Sequence, residues 1–277
     1  MDIQSTIAIL LTVHNRKEKT LTCLKRVFNQ LYVDDYKIDV YLTDDGCTDG
    51  TSTAIKYTFP QVNIITGDGT LFWNRGMYKA WEEAEKGDYD YYIWLNDDTI
   101  LTEDALNRLL RESNNQDDRA LIIGSTTAQK DGKLVTYGGR DDKCRLITNL
   151  NIPQECTTFN GNIVLIPKYV YQKIGKNDPI FLHGLGDFDY GLRAKKCGIK
   201  NIVAAGVFGG CDAHTDKPKW CNSQIPLRDR WSNFFHPLGA NPYNFFIYKR
   251  RHSGLIVAIL FFCSNFLHVL CPKLWKD

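Results

Sequence analysis

Three polar side chains, Asn96, Asp97 and Asp98, follow a run of aromatic and branched residues at 90–95. Such a run favours strand and lacks the alternation of a half-solvated strand, so it predicts a buried strand. Ligands bind at the carboxyl ends of strands in open α/β sheets, and Mg²⁺ and Mn²⁺ prefer carboxylate and phosphate oxygens. The sequence therefore predicts a divalent-cation site here. A solvated turn before a helix capped near Thr102 is the alternative.

Polar residues also end the other predicted strands. Apolar runs at 7–13, 38–43 and 62–65 predict strands, and helical patterns follow the first run and cover about 74–86. The residues at these strand ends are Asn15, Arg16, Asp44, Asp45 and Asp68. Alternating strands and helices predict an α/β fold whose sheet is mostly parallel, with helices on both faces. Because the clusters then share one sheet edge, they predict a nucleotide crevice, although Asp-Gly turns and helix caps are the structural alternative for each.

Composition excludes several classes of protein. A chain of 277 residues with 43% hydrophobic content can bury one large core or two small ones. The formal net charge of +2 gives no sign of a nucleic-acid partner. The nine cysteines include no Cys-x-x-Cys pair, which favours free thiols in a reducing cytosol over a disulfide scaffold. No basic-then-apolar segment opens the chain, so we expect a cytoplasmic protein.

Three motifs in their joint order carry a family resemblance: Thr-Val-His-Asn-Arg at 12–16, Asp-Asp-Gly-Cys-Thr-Asp-Gly-Thr at 44–51 and Asn-Asp-Asp at 96–98. Together they resemble inverting glycosyltransferases of the large GT-A class, family 2. The block at 67–77, Gly-Asp-Gly-Thr-Leu-Phe-Trp-Asn-Arg-Gly-Met, resembles a narrower subgroup that includes rhamnosyltransferases. The resemblance covers roughly 5–215 and implies a sugar-nucleotide donor, a divalent cation and a carboxylate base. Asn96 and Cys47 depart from the usual Asp and Ser.

The resemblance also implies roles for individual residues. Asp98 and His214 would hold the cation, Mg²⁺ or Mn²⁺. The base would be Asp187, in a Gly-Asp-Phe-Asp segment that resembles the family's Glu-Asp-x-Asp. Asp189 would be a supporting residue that hydrogen-bonds the backbone or Arg193. Helix capping is the structural alternative for Asp187. The expected donor-binding residues are Thr12, Asn15, Arg16, Asp44, Asp45, Asp68, Trp73, Asn74 and Asp97.

The composition changes after Trp220, which divides the chain into a catalytic region at 1–220 and a C-terminal extension at 221–277. Within the first, a nucleotide-binding half would cover about 1–125 and an acceptor half about 126–220. The extension interleaves aromatic and basic residues and then becomes almost wholly apolar at 254–271. We expect a helix that contacts the inner face of a membrane. Packing on the catalytic region, or on a second subunit as a homodimer, is the alternative.

The sequence therefore predicts an inverting, metal-dependent glycosyltransferase of cell-surface polysaccharide synthesis, peripheral at the cytoplasmic face of the membrane. Its donor would be a dTDP- or UDP-linked sugar, with rhamnose favoured, and its acceptor a glycan or a lipid-linked saccharide. A nucleotidyltransferase is one alternative, but 14–17 lacks the glycine-rich phosphate loop it would normally show. A non-catalytic sugar-nucleotide-binding protein is another, against which the presence of Asp187 counts.

Overall fold

A computed structural model describes residues 4–129, 132–213 and 218–274. The strands are β1 (Ser5–Val13), β2 (Tyr36–Asp44), β3 (Asn63–Thr66), β4 (Tyr91–Leu95), β5 (Ile100–Leu101), β6 (Leu121–Thr127), β7 (Val135–Tyr137), β8 (Gly139–Arg140), β9 (Gln154–Glu155), β10 (Thr158–Phe159), β11 (Ile163–Pro167) and β12 (Asn201–Gly210). The helices are α1 (Lys17–Phe28), α2 (Thr51–Thr58), α3 (Phe72–Ala84), α4 (Ala105–Asn115), α5 (Lys168–Ile174), α6 (Gly186–Lys196), α7 (Leu227–Phe235), α8 (Pro242–Ser253) and α9 (Leu255–Leu270).

The main sheet runs in the order β3-β2-β1-β4-β11-β6-β12-β5. Strands β1 to β4 are mutually parallel, so their carboxyl ends share one edge. The chain moves outward from β1 through β2 to β3 and then returns to the other side of β1 with β4, which creates a topological switch point there. β11 runs antiparallel to β4, with Ile163 opposite Leu95, so the residues before β11 reach the same edge.

The sheet is buried on both faces because alternate residues of its central strands enter two cores. In β1, Ile7, Ile9 and Leu11 pack with residues of α1, α2 and α4. Ala8 and Leu10 point to the opposite face and pack with residues of α3 and α6. The predicted α/β fold, a mostly parallel sheet between helices, is confirmed.

The C-terminal extension forms helices around a small apolar cluster that also includes Trp220. Trp220, Phe234 and Val269 are in its centre, and Phe245 stacks on Phe261 with 5.6 Å between ring centroids, joining α8 to α9. α9 has 16 residues. Within 4–129, 132–213 and 218–274, no helix is long and apolar enough to cross a bilayer.

Candidate active site

Asn15 joins the turns that follow β1 and β2. Its Oδ1 accepts hydrogen bonds from the Thr48 backbone N–H over 2.7 Å and from the Thr48 hydroxyl over 3.3 Å. Asn15 has a left-handed backbone with φ of 51°, which asparagine adopts more readily than most residues. Asp44 accepts the Cys47 N–H over 2.7 Å and the Ser52 hydroxyl. The two turns therefore form one ordered rim beside the switch point.

Asp45 determines the course of the loop at 67–71. It is 3% exposed, and its two oxygens accept three backbone N–H groups of that loop and of the start of α3. The donors are Gly69 at 2.8 Å, Leu71 at 3.2 Å and Phe72 at 2.9 Å. Gly46 lets the loop approach, because a Cβ there would lie 2.8 Å from the Cα of Gly69. In this structure the Asp45 carboxylate therefore binds backbone, and it positions the loop that leads to Trp73.

Asp68 and Asn74 belong to the same block but lie in opposite environments. Asp68 is exposed, and its Oδ1 accepts the Thr70 N–H over 2.9 Å and the Thr70 hydroxyl over 2.7 Å, which lowers the pKa of Asp68. Asn74 is fully buried, and its amide donates to the backbone oxygens of Asp178 and Phe181 over 2.8 Å each. Asn74 therefore ties α3 to the loop before α6, whereas Asp68 lies at the rim of the site.

Trp73 connects the donor side of the site to the segment before β11. Its indole Nε1 donates to Oδ1 of Asn96 over 2.8 Å, and its ring lies edge-on to Trp94. The Thr12 hydroxyl donates a hydrogen bond to the backbone oxygen of Trp73 over 3.5 Å. On its other side, a Cβ at Gly161 would lie 2.4 Å from the indole, so only glycine fits there without displacing the ring.

Arg16 pairs with both carboxylates of the acidic motif. Its Nη1 lies 2.9 Å from Oδ2 of Asp98 and 3.3 Å from Oδ1 of Asp97. Burial raises the pKa of Asp97 to about 6, against the lowering effect of the Arg16 charge and of a 3.3 Å hydrogen bond from the Thr20 hydroxyl. The side chains of Asp98 and Arg16 are 12% and 42% exposed, so these two face the cleft while Asp97 is covered.

The Asp98 carboxylate supplies some of the oxygen ligands that a hard cation needs. The Cys211 thiol donates a weak hydrogen bond to the other oxygen of this carboxylate over 3.7 Å. Burial and the Asp98 charge raise the pKa of this thiol to about 12. Cys211 is therefore a neutral neighbour of the Asp98 carboxylate in this structure. No group of three or more His, Cys, Asp or Glu side chains surrounds a metal position in the described part of the chain. The predicted ligand His214 lies outside the described residues. One cleft-facing carboxylate fits a cation that takes its other ligands from phosphate oxygens and water.

Asp187 lies in the first turn of α6. Its Oδ2 accepts the Gly161 N–H over 3.0 Å, and its Oδ1 accepts the Phe188 N–H over 2.9 Å. Burial raises the pKa of Asp187 to about 6, although both hydrogen bonds oppose the shift. A carboxylate with such a pKa is ionised at neutral pH and is a better proton acceptor than an ordinary aspartate. Because Gly161 also contacts Trp73, the predicted base lies next to the donor loop.

Several residues that shape this site were not identified from the sequence. Gly161 belongs to none of the predicted motifs, and Arg251 and His252 lie in the aromatic and basic part of the C-terminal extension. The structure instead brings both side chains to Asp189, which also accepts the predicted hydrogen bond from Arg193 over 2.9 Å. Nothing in the local sequence around 251 indicates this contact, because the partners are more than 60 residues apart.

Comparisons with known proteins identify both a sequence family and a fold. The family described as Glycosyl transferase family 2 matches residues 8–175. No curated protein matches the chain. Among solved structures, S. aureus TarS is similar with a TM-score of 0.56 at 11% identity, over 90% of this chain and 43% of that one. S. aureus TarS 1–349 in complex with UDP gives 0.57 at 10% identity, over 90% and 72% of the two chains. The architecture therefore matches the GT-A fold, and the chain spans less than half the length of the first TarS structure.

Proposed function

The chain belongs to glycosyl transferase family 2, and from this premise we propose that it is an inverting glycosyltransferase that moves a sugar from a nucleoside diphosphate to an acceptor hydroxyl. One observation carries the proposal. Trp73 hydrogen-bonds Asn96 of the acidic motif and packs on Gly161, whose N–H binds Asp187. These contacts join the donor-side and base-side elements near the switch point of the sheet.

For the donor, we assign the nucleoside to the rim formed by Asn15, Asp44 and Asp68, and the diphosphate to Arg16. A guanidinium matches the geometry of phosphate oxygens, and the Arg16 side chain is exposed enough to reach them. The UDP complex of TarS supports a nucleotide of this type. A UDP- or dTDP-linked sugar is the proposed donor, with rhamnose favoured by the block at 67–77.

A divalent cation, Mg²⁺ or Mn²⁺, is proposed at Asp98, with His214 as the second protein ligand. When bound, such a cation offsets the negative charge that develops on the leaving diphosphate. Asp98 contributes the hard carboxylate oxygen, and Arg16, which is itself held by Asp97, fixes its orientation. Arg16 neutralises part of the carboxylate charge, so we expect the cation to bind chiefly together with the nucleotide.

For the transfer itself, we propose that Asp187 takes the proton of the acceptor hydroxyl as that oxygen attacks the anomeric carbon. The attack forms the new glycosidic bond while the bond to the diphosphate breaks, so a single displacement inverts the anomeric configuration. The hydrogen bonds from Gly161 and Phe188 hold the carboxylate in place. No covalent sugar intermediate on the protein is required.

The acceptor is proposed to be a glycan or a lipid-linked saccharide at an anionic membrane surface on the cytoplasmic side. α9 presents an apolar stripe to solvent, in which Ile256 is 75%, Leu260 65% and Leu267 54% exposed. Residues 230–276 contain six Lys or Arg and no Asp or Glu. An exposed apolar helix face within a segment of one charge sign fits the interface of anionic lipids.

A panel of sugar nucleotides tests the function. We expect one nucleoside diphosphate to raise the melting temperature, more so with Mn²⁺, and its sugar nucleotide to be turned over with release of that diphosphate. Asp187→Asn should lower turnover about 100- to 10,000-fold and retain nucleotide binding, whereas Asp98→Ala should weaken the Mn²⁺-dependent part of binding. A folded protein that responds to no nucleotide would refute the proposed function.

A further inference from the structure

A buried ionic cluster joins the C-terminal extension to the helix that carries Asp187. Its centre is Asp189, which is 0% exposed and lies two residues after Asp187 on α6. Three side chains bind its carboxylate. They are Arg193 through Nε at 2.9 Å, Arg251 through Nη1 at 2.8 Å and His252 through Nε2 at 2.8 Å. Two of these three, Arg251 and His252, come from the end of α8, and we call them the α8 clamp.

Arg251 holds a second segment with the other arm of its guanidinium. Its Nη2 lies 2.7 Å from Oδ2 of Asp178, in the loop before α6. The backbone oxygen of the same Asp178 accepts a hydrogen bond from Asn74, the neighbour of Trp73. A single guanidinium therefore connects α8 to α6 and to the loop that anchors the start of α3.

The buried Asp189 carboxylate depends on the positive charges and hydrogen-bond donors that surround it. Burial alone would raise the pKa of Asp189, but hydrogen bonds from His252 and Arg251, together with the Arg193 charge, hold it below its ordinary value. A buried carboxylate needs such partners, because an unpaired buried charge is strongly unfavourable. A lysine could not replace Arg251 fully, since it lacks the planar fork that reaches two carboxylates.

The first turn of α6 has little freedom on its other side. A Cβ at Gly186 would lie 1.9 Å from Oδ1 of Asn74, and the Gly161 N–H binds the Asp187 carboxylate. Tyr248 lies one helical turn before His252, with 5.1 Å between the two ring centroids. Burial and nearby negative groups, which include Asp187, raise the pKa of Tyr248. The clamp and the base-bearing turn are thus adjacent.

We propose that Arg251 and His252 are positioning residues that hold α6 so that Asp187 meets the acceptor hydroxyl, which makes the C-terminal extension a part of the catalytic unit. The proposal rests on the proposed function for the role of Asp187. Small displacements of a reacting group are costly, since about 1 Å can lower a rate about 100-fold. The clamp binds Asp178 and Asp189 rather than the rim formed by Asn15, Asp44 and Asp68, so we expect its loss to slow the transfer step more than it weakens donor binding.

The test compares Arg251→Ala with Arg250→Ala, because Arg250 is the adjacent and exposed residue of the same helix. Hydrogen–deuterium exchange of peptides covering 182–196 should rise in Arg251→Ala only. Turnover of the sugar nucleotide should fall about 10- to 100-fold in kcat, while UDP affinity and the donor KM stay unchanged. His252→Gln, which keeps an N–H donor, should retain more turnover than His252→Ala.

Equal exchange in the Arg251 and Arg250 variants would overturn the proposal, and so would a loss of UDP affinity in parallel with kcat. If Arg251→Ala does not fold, Arg251→Lys and the His252 pair carry the same comparison. Should the wild-type protein turn over no sugar nucleotide, the proposed function fails, while the exchange experiment still decides whether the clamp positions α6.

Discussion

The indole Nε1 of Trp73 lies 2.8 Å from Oδ1 of Asn96, so the first position of the acidic motif serves the donor loop. An amide oxygen accepts this hydrogen bond without adding charge. Asp97 and Asp98 already share the single guanidinium of Arg16. The departure from the family's usual Asp at this position therefore has a structural consequence, which is a neutral link between Trp73 and the carboxylates.

Replacing Asn96 tests this link. Asn96→Asp keeps the acceptor but adds a third carboxylate, so we expect lower stability without cation and a larger stabilisation by Mn²⁺ than in the wild type. Asn96→Ala leaves the Trp73 N–H without its acceptor and should cost about 1–3 kcal/mol of unfolding free energy. Urea denaturation with and without Mn²⁺ measures both. Identical Mn²⁺ responses of Asn96→Asp and wild type would contradict the expectation.

Arg16 should act in opposite directions on the cation and on the nucleotide. In Arg16→Ala the Asp98 carboxylate loses its 2.9 Å partner, so Mn²⁺ alone should bind more tightly. The nucleoside diphosphate should bind about 10-fold more weakly, because a charge-assisted contact worth about 1.4 kcal/mol is lost. Calorimetric titration measures both affinities. Arg26→Ala, which breaks a 3.5 Å pair with Glu103 at the far end of α1, is the control and should change neither.

The sequence predicted the sheet and the edge at which the site lies because both depend on local patterns. The apolar run at 7–13 and the run at 90–95 became β1 and β4, and the polar residues after them meet at the switch point. Burial on both faces left no polar alternation, which is the pattern that predicted a covered parallel sheet.

The contacts of individual polar residues were harder to predict, because they depend on partners distant in sequence. The Asp45 oxygens accept backbone N–H groups 24 to 27 residues away. Asn74 donates to a loop about 104 residues later. The predicted donor-binding roles of both residues stay predictions. The contact of Arg251 with Asp189 spans 62 residues. Motif matching gives residue types and order, not the direction in which each side chain points.

Membrane binding should depend on the apolar stripe of α9. The double change Ile256→Ser and Leu260→Ser removes two exposed aliphatic side chains, so binding to vesicles that contain phosphatidylserine should fall sharply. Tyr57→Ser is the matched control, since Tyr57 is 91% exposed on α2, and it should bind as the wild type does. Co-sedimentation at low and high salt provides the measurement. If the double variant instead lowers the mass in light scattering and leaves vesicle binding unchanged, the stripe contacts a second copy of the chain.

The half-buried carboxylate of Asp187 should make stability depend on pH. Burial raises its pKa from 3.8 to about 6, so the folded protein holds this proton more tightly than the unfolded chain does. The resulting stabilisation is complete below pH 3.8 and is lost as the pH rises through about 6. The Asp187→Asn variant has no titrating group at this position. Between pH 4 and pH 8 the unfolding free energy of this variant should therefore rise by about 1–3 kcal/mol relative to that of the wild type. Asp117→Asn, at an exposed carboxylate, should show no such relative change.

The same carboxylate should control turnover, with the opposite preference for pH. A base must be unprotonated, so the kcat of the wild type should rise with pH through about 6 and then reach a plateau. Asp187→Asn should be slower by about 100- to 10,000-fold and should lose the limb near pH 6, because no group then accepts the proton. A variant that keeps this limb would assign the titration to another residue. The pH range in which Asp187 is catalytically competent is thus the range in which it destabilises the fold, as expected when an ionised group is held partly away from water for its chemistry.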